Sequence, residues 1–211
     1  MTTNNTTQNL IKTLSIALLL SAGSAMADVS FDGLELQKRT KADAVWLHPE
    51  LSLEGYDKIM YENLGVATKP VRRNSRTDFE LTVKQREKVS EILDEAFNKE
   101  LGRSERFELA STPGPDTLAV RVSLLDVVSH VPEESVGRTT TYISSVGEAT
   151  LVLELRDSVS NAILARAVDT QSADSMGQLI RSSRPINIAE TRQTASQWAR
   201  LLRKRLDEFR K

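Results

Sequence analysis

Between Thr82 and Gly102 the apolar residues Val89, Ile92, Leu93, Ala96, Phe97 and Leu101 recur every three or four positions. That is the period of one helical face. Thr82-x-x-Gln85 supplies a capping box just ahead of the run, so the spacing predicts a helix over 83–101. Gly102 stands where a left-handed stop belongs. A second helical pattern runs to the C-terminus through Ile188, Thr191, Ala195, Trp198, Leu202, Leu206 and Phe209. Asn187-x-x-Glu190 offers its cap, and the basic residues Arg203, Lys204, Arg205, Arg210 and Lys211 suit the negative end of its dipole.

Elsewhere the period drops to two. Leu118, Val120, Val122 and Leu124 alternate with Ala119, Arg121 and Ser123, and Ala149, Leu151, Leu153 and Leu155 alternate with Thr150, Val152, Glu154 and Arg156. Both read as strands with one buried face. Asp157–Asn161 is a hairpin-sized turn into a strand over 162–170, and so short a connection implies antiparallel pairing. Residues 44–48, 58–68 and 106–110 are further strand candidates, and 28–43 reads as a polar surface stretch. Residues 132–141 and 171–186 read as polar loops, with Pro113-Gly114-Pro115-Asp116 as a turn. Gly147, ahead of a strand, reads as a bulge or turn glycine. The expectation is one α/β-type domain of the α+β kind. Its sheet is largely antiparallel with five or six strands, and two main helices pack on it.

The N-terminus is different in kind. Residues 1–12 are polar with one cation, Lys12, and 13–23 form an apolar run too short to span a bilayer. Ala25-Met26-Ala27 then fits a signal-peptidase site. Residues 1–27 are therefore read as a cleaved signal peptide rather than a retained anchor, and 28–211 as one periplasmic domain with no further membrane-spanning segment. The chain has no cysteine. That excludes disulfides, thiolate metal sites, thiol catalysis and lipidation of an N-terminal Cys. With 28 basic and 29 acidic residues the chain carries no general field for nucleic acid or a membrane surface.

Candidate chemistry is sparse. There are two histidines, His48 and His130. Asp126, Ser129 and His130 could contribute to a hydrolase site assembled with a distant partner. Asp126 and His130, however, stand four strand residues apart, about 13 Å, too far for a local hydrogen bond. No Gly-x-Ser-x-Gly elbow is present. No spacing of ligands implies a metal, and the isolated Gly137 and Gly147 do not make a phosphate cradle, so no cofactor is expected. Trp46 and Trp198 fit apolar faces as core residues. One local charge anomaly stands out in an otherwise balanced chain. Lys69, Arg72, Arg73 and Arg76 fall within eight residues with no acidic neighbour until Asp78, a pattern suited to phosphate or carboxylate.

Three stretches carry a resemblance. They are Leu53-Glu54-Gly55-Tyr56-Asp57-Lys58-Ile59, then Val146-Gly147-Glu148-Ala149-Thr150 running through Leu155-Arg156-Asp157, and Trp198-Ala199-Arg200-Leu201-Leu202. Together they resemble the proteobacterial domain-of-unknown-function family numbered 3313, small envelope proteins that are often lipoproteins. The resemblance implies an accessory domain of strand–helix–meander–helix type and brings no established activity. The absence of a cleavage-site Cys departs from the lipoprotein pattern. The functional expectation is a non-catalytic binding or envelope-assembly module contacting another envelope protein or an anionic envelope lipid through residues 69–76. Two alternatives stand beside it: the dispersed-site hydrolase, and a structural subunit that self-assembles through a strand edge.

Overall fold

The computed structural model describes residues 32–131, 142–143, 145–174, 180–181 and 184–209. The signal-peptide assignment and the loop at 132–141 fall outside them, as do residues 175–179 and 182–183 of the stretch read as a loop at 171–186. The elements run β1 (Glu35–Leu36), β2 (Ala44–Leu47), β3 (Lys58–Thr68), α1 (Val83–Leu101), β4 (Glu108–Leu109), β5 (Thr117–Ser129), β6 (Tyr142–Ile143), β7 (Ser145–Asp157), β8 (Ile163–Asp174), β9 (Ile180–Arg181) and α2 (Arg184–Glu208). Among the described residues, no helix is long and apolar enough to cross a membrane.

Helix α1 forms where its local signals put it. Thr82 Oγ1 accepts from the Gln85 N–H at 3.3 Å, and Gln85 Oε1 accepts from the Thr82 N–H at 2.8 Å, satisfying two otherwise orphaned donors. Ile92, Leu93, Ala96, Phe97 and Leu101 are buried. The stop differs from the expected one. Gly102 is right-handed (φ −66°), because the chain leaves through a tightened turn in which Arg103 and Ser104 donate to the Glu100 and Leu101 carbonyls. Helix α2 begins at Arg184, three residues before the expected cap at Asn187. Pro185 fits the first turn, where no intrahelical donor is needed.

The sheet corrects the expectation of five or six largely antiparallel strands. Among the described residues it has seven, in the order β1-β2-β8-β7-β5-β3-β4, and it is mixed. The meander β5–β7–β8 is antiparallel as expected, but β3 runs parallel to both β5 and β4. The reason is connectivity: α1 lies between β3 and β5 and carries the chain back to its starting end, which a tight turn cannot do. A separate two-stranded ladder joins β6 to β9. Strand β5 also continues beyond the expected alternation, because a bulge with Asp126 at φ 52° absorbs one break and lets pairing resume at Val128. Strand β8 runs on to Asp174, into the stretch read as loop. Gly147 meets its expectation as a bulge glycine, at a register shift between Ser145 and Gly147, and a Cβ there would lie 2.3 Å from the Val128 carbonyl oxygen.

Both helices cover one face of the sheet. That face presents Ile59, Leu118, Val120, Val122, Leu124, Leu151, Leu153 and Leu155 to Phe97, Leu101, Trp198 and Leu206 in one continuous core. Leu34, in the stretch expected to lie along the surface, is fully buried. At two polar positions among the described residues of the covered face a helix supplies the hydrogen-bond partner. Asn63 Nδ2 donates to Ser90 Oγ (2.9 Å) and Asp94 Oδ1 (2.7 Å) of α1. The buried Asp169 accepts from Trp198 Nε1 of α2 at 2.7 Å. Trp198 is core, as expected. Trp46 is not: it is half-buried, in register with Arg166, on the face the helices leave open.

Candidate functional site

The basic segment is a built loop, anchored at both ends to one stretch of β5. At its start the Lys69 N–H donates to the Val127 carbonyl at 3.1 Å. At its end Phe79 and Ser129 exchange backbone hydrogen bonds of 2.8 and 3.0 Å. Between them Val71 N–H donates to Glu80 Oε1, Ser75 N–H to the Arg72 carbonyl, and Asp78 N–H to Ser75 Oγ. The backbone is thereby fixed while Lys69, Arg72, Arg73 and Arg76 all remain exposed. Among the described residues none of the four has a carboxylate partner. Arg103, Arg121, Arg156, Arg166, Arg192, Arg203 and Arg205 each do.

Against the loop lies an open depression of about 470 Å³, walled by Lys69, Arg72, Asn74, Ser75, Asp78 and Val128, with Pro70 and Val71 completing it. Lys69 and Arg72 are thus brought together at one cavity. Arg73 and Arg76 stand on the same loop outside its lining. A phosphate or carboxylate at the Lys69–Arg72 side would meet two cations and the Asn74 amide. Ser75 accepts from the Asp78 N–H, which leaves its own hydroxyl proton free to donate. Asp78, also in the lining, disfavours an anion large enough to fill the whole depression.

The histidines do not assemble a relay with the serine and aspartate considered above. His130 Nε2 lies 3.8 Å from the Asp78 carboxylate, beyond hydrogen-bond length. Ser129 Oγ is engaged with its own chain, donating to the Val131 carbonyl and accepting from the Val131 N–H, each at 3.0 Å. Asp126 is the exposed bulge residue. His48 Nδ1 accepts from the Glu50 N–H at a strand end. Among the described residues no group of three or more His, Asp or Glu is arranged to hold a metal.

A second charged feature went unread in the sequence. On the open face, Glu62 (β3), Arg121 (β5), Glu154 (β7) and Arg166 (β8) stand in register as one row across four strands. Arg121 Nε meets Glu62 Oε2 at 2.5 Å, and Arg166 Nη2 meets Glu154 Oε1 at 2.8 Å. Arg156 reaches Glu154 from the same strand and Asp32 pairs with Arg166. Burial penalises the ionised Glu154, but the hydrogen bonds from Arg166 and Arg156 outweigh it and hold the carboxyl below its usual range. Alternation within single strands gives the face of each residue. It does not give which strands are neighbours.

The family model described as protein of unknown function (DUF3313) matches residues 24–202. No curated protein matches the chain. Among solved structures, the chain is similar to a Xanthomonas campestris protein assigned to the family model DUF330, at 12% identity and TM-score 0.44, covering 74% of this chain and 86% of that one. It is also similar to the PelC dodecamer from Paraburkholderia phytofirmans (12%, TM-score 0.37, 74% and 96%). A minor lipoprotein from Acinetobacter baumannii is a third (13%, TM-score 0.35, 72% and 93%). With likenesses this distant, function has to be argued from the chain's own residues.

Proposed function

The chain belongs to the DUF3313 family, whose function is unknown, and we propose from that premise that it is a non-catalytic periplasmic binding or assembly module. Its contact surface is the 69–76 loop, and its target is an anionic group of an envelope lipid or an acidic envelope protein. One observation carries the reading: four exposed cations without carboxylate partners among the described residues sit on a loop held at both ends by β5. A fixed backbone removes part of the ordering cost that a floppy basic segment pays on binding.

Replacing Arg72, Arg73 and Arg76 together by Gln is expected to leave the melting transition in place, because exposed charges change stability by only about 0.5 kcal/mol. The same change is expected to weaken co-sedimentation with phosphatidylglycerol vesicles, or capture of an acidic partner, and to remove the salt-sensitive part of the binding. Phosphatidylcholine vesicles provide the uncharged control. Equal binding by the parent and the triple variant at every salt concentration would mean the loop is merely solvated.

The compartment is part of the proposal and has its own test. Ala25 and Ala27 fit the small pockets of a signal peptidase, so the intact mass of protein recovered from the periplasm should correspond to a chain beginning at Asp28. A chain retaining Met1 in the membrane fraction would overturn the export reading.

A further inference from the structure

The row on the open face has a property that none of its members has alone. Read from β3 to β8 it runs Glu62, Arg121, Glu154, Arg166, that is minus, plus, minus, plus. An alternating row with an even number of charges is its own complement when turned end for end. A twofold axis parallel to the strands, lying between β5 and β7, sets Glu62 opposite Arg166 of the second copy and Arg121 opposite Glu154. An isologous interface has this self-complementarity as its requirement.

The neighbouring row fits the same operation by size. Gly65 and Ser123 on one side of the axis are small, while Val152 and Val168, their register counterparts on the other side, are larger. The operation brings Ser123 against Val152 and Gly65 against Val168. Two sheets packed with aligned strands sit about 10 Å apart, within reach of facing Arg and Glu side chains. The charges are already held in place: the side chains of Glu62, Arg121, Glu154 and Arg166 are only 17–30% exposed and are paired along the row. Docking therefore freezes few additional rotamers. Among the described residues no helix covers this face; Asp32, paired with Arg166 at 2.6 Å, flanks the row at its β8 end.

We propose that two copies of this chain associate face to face through the open side of the sheet, in register about that axis. The proposal is independent of the basic loop, whose feet are on Val127 and Ser129 at the far end of β5. Light scattering of the purified protein over a concentration series is expected to give twice the mass of one chain. Glu62→Arg alone and Arg166→Glu alone each put like charges together twice per dimer, and each is expected to raise the dissociation constant about a hundredfold. Mixing the two variants restores opposite charges at both contacts, so the mixture is expected to dimerise although neither variant does alone.

Circular dichroism checks that both variants fold. Because each reversal also disturbs a pair within its own chain, a second measurement avoids them. The chain has no cysteine, so Ser123→Cys and Val152→Cys can be mixed and treated with a short bis-maleimide. Cross-linking to the doubled mass, in the mixture and in each variant alone, is the expected result, because residues 123 and 152 flank the axis on strands about 4.8 Å apart. A parent protein that is monomeric up to about 0.1 mM would overturn the proposal. So would a dimer that survives both reversals, a mixture that fails to re-form it, or no cross-link in any of the three samples.

Discussion

Trp198→Ala is expected to lower the unfolding free energy by about 3–5 kcal/mol, the range for emptying a large buried aromatic site. Trp198 is 6% exposed within the main core. Its loss also takes one donor from Asp169, a carboxylate buried under α2, leaving Gln171 Nε2 at 2.7 Å and a long contact from the Asp43 N–H at 3.3 Å. A domain of this size holds roughly 5–15 kcal/mol in total, so the variant should sit close to unfolding at growth temperature. Trp198→Phe divides the effect: it keeps most of the ring and loses only the indole donor, and should cost about 1–3 kcal/mol. Urea titrations of the three proteins give the ranking. Equal stability of Trp198→Ala and the parent would place the ring outside the core.

That residue also marks the boundary of what the sequence made legible. Its helical spacing with Leu202 and Leu206 was enough to place it in a core. Its partner was not readable, because Asp169 lies on another element, 29 residues earlier. The same division holds along the chain. The span of helix α1 was readable although the form of its stop was not, since both its cap, Thr82 with Gln85, and its buried stripe are local. The Asp157–Asn161 turn was readable for the same reason: Asp157 Oδ1 accepts from the Val159 and Ser160 N–H groups, and Asn161 tolerates φ 62°. The parallel pairing of β3 with β5 was not, because alternation reports which face a residue occupies and says nothing of neighbour or direction. Trp46 was misplaced on that account: an apolar strand residue looks like core whichever face it takes. The candidate sites divide in the same way. The four cations of the 69–76 loop are contiguous and were found. The charged row is assembled from pairs 59 and 12 residues apart and needed the register.

The second large effect lies where the two helices meet. Glu100, near the end of α1, is 4% exposed and carries a charge, an arrangement that survives only if the charge is compensated. Arg103 Nη1 lies 2.9 Å from one carboxylate oxygen, and Arg203 of α2 approaches the other at 3.6 Å while holding Asp207 at 2.9 Å. Asp207 in turn accepts from Ser104 Oγ at the exit of α1. Arg103 is more than half exposed, so solvent weakens its compensation, and Arg203, 19% exposed, is the better shielded cation beside Glu100. Arg203→Met is expected to cost about 3 kcal/mol, the lower end for breaking a buried pair and stranding its partner. The decisive comparison is the double variant Glu100→Gln with Arg203→Met. A neutral amide no longer needs the cation, so the second substitution should recover part of what the first lost, making the two strongly non-additive. Strict additivity in the denaturant cycle would show that Arg103 and solvent compensate Glu100 without help from α2.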